Sequence, residues 1–437
     1  MRRRELSFAL AVVAAIAAGC NTNPLSPRRV PHEVWLVDQS DSPGATYGGR
    51  IYIYEDSALS PAATSTPTPT VIDLAQATSA LCMSSTGANP VRPHMLLFNA
   101  TQTHAVLAFV ASGHVAIFNA STRTPLACFR TSVGAGGARQ AHAAIPSADG
   151  SFILVANQNG KLLERIDANY ATNSFTLNPA ATLNLVTCTT PSGAPCESPT
   201  LRPDNAPICP LVDSASRYGF VSLRGGGLFV VNPKATPMAI VGQYDRATVH
   251  GNGCGGLQTR GFMYVNSGGG HPANLSEFDV YRFPLTGYAA SNAVNAPAPS
   301  VLFSDDARDR DSHGLTATID GRYLWVVDRV GNMIEIFDIA SNAHIGTLNL
   351  AGPMSTDAAP DLIDISPTGD VMYTSLRGPT PLSGDPHSST GATPGLGVIN
   401  LSQGGRTGTF SRIVRITNRD AVGVEKADPH GIRVRRK

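Results

Sequence analysis

Five histidines and one aspartate recur at one place in a repeating pattern: His94, His142, His250, His313, His430 and Asp361 each stand near the start of an apolar stretch. His94 precedes His104 by ten positions, His142 precedes Phe152, His313 precedes Tyr323 and Asp361 precedes Val371 by the same interval. If these starts converge on one axis, five imidazoles and a carboxylate face one another. Such nitrogen and oxygen donors suit copper, zinc, iron or nickel, whereas calcium or magnesium would want mostly oxygen. Copper is expected first and zinc second, with Asp361 as an oxygen ligand or as an acid/base group beside a metal-bound water. A single histidine of this kind would only hydrogen-bond a neighbouring backbone or a channel water. The repetition is what points to metal or ligand binding.

The elements that must position these residues are short strands. Residues 313–339 read as a strand, an Asp320-Gly321 turn, an alternating strand, a Gly331-Asn332 turn and a third strand. Strand starts fall at His94, His142, near Ile208 and Cys209, and at His250, His313, Asp361 and His430, which makes seven units. The last has no partner strands after it, while residues 33–39 (EVWLVDQ) and 50–55 (RIYIYE) begin a unit without an innermost strand. Joining the two fragments closes a ring without sheet edges. The expected fold is all-β, a seven-bladed β-propeller over residues 32–437 whose C-terminal strand completes the N-terminal blade. With 42 Gly, 32 Pro and 15% charged residues, the composition favours strands and turns, and no long amphipathic helical pattern is evident after the N-terminus.

Residues 1–19 read as an export signal, with Arg2, Arg3 and Arg4 before an apolar run. Ala17-Ala18-Gly19-Cys20 resembles a bacterial lipobox, so Cys20 is the expected lipidation site and residues 20–31 a flexible tether. The expected address is the bacterial cell envelope, lipid-anchored, at the outer membrane facing the periplasm or the cell surface. The alternative is a plain secretory signal and a free exported protein. Loss of residues 1–19 removes three arginines and one glutamate and leaves 30 basic and 31 acidic residues, which gives no support for nucleic-acid binding through bulk charge. A monomer is expected. Six further cysteines in an oxidising compartment favour disulfides: Cys188 with Cys196 across a local loop, Cys82 with Cys128, and Cys209 with Cys254, other pairings remaining open. Alternatively Cys209 or Cys254 adds a soft ligand that favours copper.

Arg224, Arg329 and Arg377 end the second strand of three units and would surround the mouth of the channel. They either hold a small anionic substrate by forked hydrogen bonds or pair with Asp361, Asp328 and nearby carboxylates. Long turns at 266–275 and 377–395 carry His271 and His387, and a shorter one carries His114; as loop histidines they are expected to be solvated. The acidic stretch 304–313 (SDDARDRDSH) reads as a solvated turn. No nucleophile elbow, phosphate loop, His-Glu-x-x-His helix or haem-attachment motif occurs.

Ser147-Ala148-Asp149-Gly150, Ser366-Pro367-Thr368-Gly369, Ile319-Asp320-Gly321 and the strand 322–328 (RYLWVVD) resemble the turns and strands of the YVTN family of seven-bladed propellers, over roughly residues 32–437. That resemblance implies architecture more than activity. In outline the histidine ring is also similar to the copper sites of propellers such as nitrous oxide reductase and the selenium-binding methanethiol oxidases. The chain ends soon after His430, without the reductase's cupredoxin domain, which speaks against four-copper chemistry. What the resemblance implies is a metal-dependent small-molecule oxidoreductase. Two other readings stand beside it: a non-enzymatic scaffold that binds a protein or glycan partner over its loop-rich face, and a lactonase-like hydrolase.

Overall fold

The computed structural model describes residues 30–60, 65–269, 277–305, 309–382 and 389–437; the signal segment, Cys20, His271 and His387 lie outside them. Seven antiparallel sheets with strands in sequence order form a seven-bladed β-propeller; six have four strands, and one has a fifth, Leu183–Asn184, paired with Leu162–Asn169. One departs from strict order: Pro429–Arg436 is the innermost strand of the blade continued by His32–Asp38, Arg50–Glu55 and Thr70–Asp73. Val434 lies opposite Val34 and Ile432 opposite Leu36, so the two chain ends are joined through paired, buried aliphatic side chains. This closure is the one expected from the unpaired fragments.

We number this blade 1. The inner strands of blades 2 to 7 are Pro93–Phe98, Ala141–Pro146, Pro207–Val212, Gly256–Thr259, Ser312–Ala317 and Pro360–Ile365. Turns from the first to the second strand follow one recipe. Gly150 and Gly321 adopt φ of +72° and +66°, conformations that favour glycine, and their N–H groups donate to Ser147 O and Thr318 O. Second strands such as His104–Phe109, Phe152–Asn157 and Tyr323–Asp328 are buried on both faces, because each sheet packs between two others. Trp35, Ile51, Leu107 and Phe109 fill the space between blades 1 and 2, and Trp325, Ile336, Met372 and Ile399 that between blades 6 and 7.

Besides a single helical turn at Asp56–Leu59 and four short 3-10 turns among the described residues, one longer element departs from the all-strand expectation. Leu74–Thr86 is an α-helix, capped by Asp73, which accepts from Ala75 and Gln76, and ended by Gly87 at φ +72°. Its apolar residues lack a clear helical stripe, so periodicity did not announce it. The Cys82–Cys128 disulfide pins it to blade 2, and Cys188–Cys196 and Cys209–Cys254 are the other two bridges.

Candidate metal centre

One backbone hydrogen bond, repeated from blade to blade, sets the register of the channel. The residue after the second strand donates to the residue before the inner strand: Val110 to Arg92, Gln158 to Gln140, Arg224 to Ala206, Arg329 to Asp311, Arg377 to Ala359 and Gln39 to Asp428. Two residues after each acceptor stand His94, His142, Ile208, His313, Asp361 and His430. In blade 5 the equivalent bond runs from Gly268 to Gly251, which puts Gly253 and then Cys254 at the ring position. Five successive blades, 6, 7, 1, 2 and 3, therefore supply His313, Asp361, His430, His94 and His142, and blades 4 and 5 are bridged by the Cys209–Cys254 disulfide.

The four imidazoles form a chain of ring contacts, His142 to His94 to His430 to His313, and the carboxylate of Asp361 joins its His430 and His313 end. His94 and His430 stack with 3.6 Å between ring centroids, His94 meets His142 edge-on at 4.6 Å, and His313 meets His430 at 5.5 Å. His313 Nε2 lies 3.1 Å from Asp361 Oδ1, and donor atoms of His313, Asp361 and His430 all fall within 4.8 Å of one another. His94 Nδ1 donates to Gln39 Oε1 at 2.8 Å, and His142 Nδ1 donates to the Ile208 carbonyl at 3.1 Å. Each of these bonds fixes a tautomer and leaves Nε2 with its lone pair. His94 Nε2, His313 Nδ1 and His430 Nδ1 are buried with no hydrogen-bond partner among the described residues.

Burial, then neighbouring imidazoles and guanidinium groups, keeps these rings neutral. His142 is pushed down to about 4 and His430 to about 3, and His94 and His313 fall well below the usual imidazole range. Burial alone would raise the Asp361 carboxyl. The His430 and His313 rings and the charges of Arg377 and Arg329 instead hold it below the usual carboxylate range. Neutral imidazoles beside an ionised carboxylate are the protonation states in which these groups bind metal. The donor set fits a copper or zinc ion: several nitrogen lone pairs without protein partners and one anionic oxygen.

His250 is not brought into this ring. It stands six residues before its blade's inner strand, its side chain is 44% exposed, and its Nδ1 lies 2.7 Å from both Glu277 Oε1 and Asp279 Oδ2. It precedes Gly251, the acceptor of its blade's register bond, by one residue, whereas the ring residues follow their acceptors by two. The lead-in to blade 5 also runs very close to its neighbours: a Cβ on Gly253 would meet Asn266 O at 1.7 Å and one on Gly255 would meet His313 O at 2.0 Å. Cys209 and Cys254 offer no thiolate, because they are joined; Met95 Sδ lies 3.7 and 3.5 Å from their sulfurs.

The arginines at the mouth take the ion-pairing alternative. Arg377 is fully buried, gripping both oxygens of Asp428 at 2.6 and 2.7 Å and Asp361 Oδ2 at 2.6 Å. Arg329 is buried against Asp311 and lies 3.5 Å from Asp361 Oδ1, and Arg224 pairs with Asp204 at 2.5 Å while remaining partly exposed. The stretch expected to be a solvated turn is in part buried: Arg310 binds Asp305, Asp328 and Glu335, and Asp311 is inaccessible. His114 is likewise no loop residue. It begins the strand His114–Asn119 and is buried between Thr86 and Ser112. Gln39 and Asp428 were not singled out, although Asp311-Ser312-His313 and Asp428-Pro429-His430 share an Asp two places before the ring histidine. Further along the inner strands, Met95, Leu97, Ile145, Leu211, Leu315 and Leu362 line a mainly apolar cavity of about 110 Å3.

No protein-family model matches the sequence, and no curated protein is similar to it. Solved structures are similar in shape. A putative 6-phosphogluconolactonase from Bacteroides fragilis superposes with a TM-score of 0.56 at 14% identity, covering 92% of this chain and 98% of that one. The periplasmic gluconolactonase of Pseudomonas aeruginosa gives 0.55 at 13%, covering 92% and 99%. A protein from Lactobacillus plantarum gives 0.58 at 12%, covering 92% and 99%. The likeness is one of fold.

Proposed function

We propose that this chain is an exported, lipid-anchored propeller of the YVTN type whose channel holds a transition-metal ion, copper in first place and zinc in second, at His94, His142, His313, His430 and Asp361. The observation that carries the reading is the group of buried, neutral imidazoles with unpartnered nitrogens beside an ionised carboxylate. Leaving such atoms dry and unpaired costs about 1–3 kcal/mol each, which a ligated ion would offset. Bound there, copper would supply one-electron chemistry toward a small molecule. Gln39 and the Ile208 carbonyl hold two of the rings in their donor tautomers, and Arg377 fixes the Asp361 carboxylate. Equilibrium dialysis with copper and with zinc tests the site: His430→Ala should bind about one ion per chain fewer than the unaltered protein, and equal binding by both would contradict it. Cys20→Ser should move the protein from the membrane to the soluble fraction.

A second reading rests on the 3.1 Å approach of His313 Nε2 to Asp361 Oδ1. A neutral imidazole beside a carboxylate that could orient it is a candidate general base for water, which suits hydrolysis of a lactone. The gluconolactonases named above share only the fold with this chain. Lactone hydrolysis that survives chelation and is lost in Asp361→Asn would favour this second reading.

A further inference from the structure

We propose a second metal site, separate from the channel ring, in which His250, Glu277 and Asp279 bind a divalent first-row transition ion with zinc as its probe. Glu277 and Asp279 lie two apart in an extended segment entering the strand Phe278–Pro284, so their side chains leave the same face. Both are buried, and His250 covers them from the segment leading into blade 5. A donor atom from each of the three lies within 4.8 Å of the others, and His250 Nδ1 is 2.7 Å from both carboxylates.

His250 Nδ1 is paired with one oxygen of each carboxylate, an arrangement in which an ion could take the place of the shared proton. One Nδ1–H aims well at one oxygen only, yet two stand at equal distance. Asp279 Oδ1 is buried with no hydrogen-bond partner among the described residues. Tyr281 orients the cluster as an outer partner should: its hydroxyl donates to Asp279 Oδ2 at 2.9 Å and accepts from the His250 N–H at 3.0 Å. One imidazole and two carboxylates make a mixed nitrogen and oxygen set that suits zinc, manganese or ferrous iron. His250 is half-exposed, so the remaining coordination positions face solvent and are open to water or a small ligand, as in catalytic sites. Glu277 pairs with Asp311 in an isolated bridge, and its carbonyl accepts from Ser312 N at 3.2 Å, which places the site beside the strand that carries His313.

Zinc titration of the mature chain by calorimetry, with stoichiometry checked by elemental analysis, tests the assignment. His250→Gln should remove one equivalent of zinc whatever the ring binds, and Tyr281→Phe should weaken that equivalent about tenfold. His430→Ala should leave it intact, so failure of the ring and failure of this site are told apart. His250→Gln leaves two buried carboxylates without their paired imidazole and should melt lower, so its folding is checked by circular dichroism at the titration temperature, and Glu277→Gln, which removes one of the two charges, provides an independent check. Zinc stoichiometry and affinity unchanged in both His250→Gln and Glu277→Gln would overturn the proposal.

Discussion

His94 of blade 2 and His430 of the C-terminal strand stack at 3.6 Å between ring centroids, so the strand that closes the propeller also brings a side chain to its centre. Fold closure and the candidate site therefore depend on the same eight residues, Pro429–Arg436. Deleting residues 429–437 should abolish both. Far-ultraviolet circular dichroism and gel filtration should report an unfolded or aggregated chain, because blade 1 loses its inner strand and exposes an edge.

Arg377 joins Asp361 to Asp428 in a place without solvent. Its replacement by Met leaves Asp428 buried without its cation and Asp361 with Arg329 alone, and breaking a buried pair in this way costs about 3–5 kcal/mol. Urea unfolding of Arg377→Met should show a loss of that size. A loss below about 1 kcal/mol would mean that the carboxylates find water or protonate at little cost.

The Cys209–Cys254 bridge joins the residues that follow the ring positions of blades 4 and 5, Ile208 and Gly253. Cys209→Ala with Cys254→Ala should destabilise the protein by about 2–4 kcal/mol, the usual effect of removing a bridge that closes a loop of this length. The same variant should keep its channel metal, because neither sulfur is a free thiolate. Loss of metal at unchanged folding would instead assign a ligand role to the sulfurs.

Stability should fall in mild acid. Burial pushes His114 down to about 4 from an ordinary value of 6.5, so the folded state holds it neutral while the unfolded chain takes up a proton. Its contribution is complete above pH 6.5 and is lost as pH falls toward 4, by about 2 kcal/mol at pH 5 and about 3 kcal/mol at pH 4. The buried ring histidines act in the same direction. His114→Gln keeps a partner for Thr86 and should flatten the unfolding profile between pH 6.5 and 4 relative to the unaltered protein. Parallel profiles would show that His114 protonates without penalty.

Much of this fold was legible because the propeller repeats its local chemistry. The Asp320-Gly321 and Asp149-Gly150 turns, the ten-residue interval from ring residue to second strand, and the missing inner strand of blade 1 all lie in the sequence and recur in the structure. The register of His94, His142, His313, Asp361 and His430 was readable for the same reason. His250 did not share the ten-residue interval: it stands twelve residues before its second strand at Phe262, and the register bond from Gly268 to Gly251 puts the ring position at Gly253 instead. The partners of Arg377 were not readable individually. Asp428 and Asp361 come from different blades, and only closure of the ring brings them to one guanidinium. The helix Leu74–Thr86 was hidden by a residue pattern without an apolar stripe, its position being set by a cap and a disulfide.

The most direct test is the metal content of the mature protein, purified without a histidine tag from the cell envelope and measured by elemental mass spectrometry. The ring predicts about one equivalent of copper or zinc per chain that disappears when His313 and His430 are both replaced by Ala in a variant that still folds, whatever zinc the His250 cluster retains. A folded protein that carries no copper or zinc and takes up neither on incubation would contradict the metal centre.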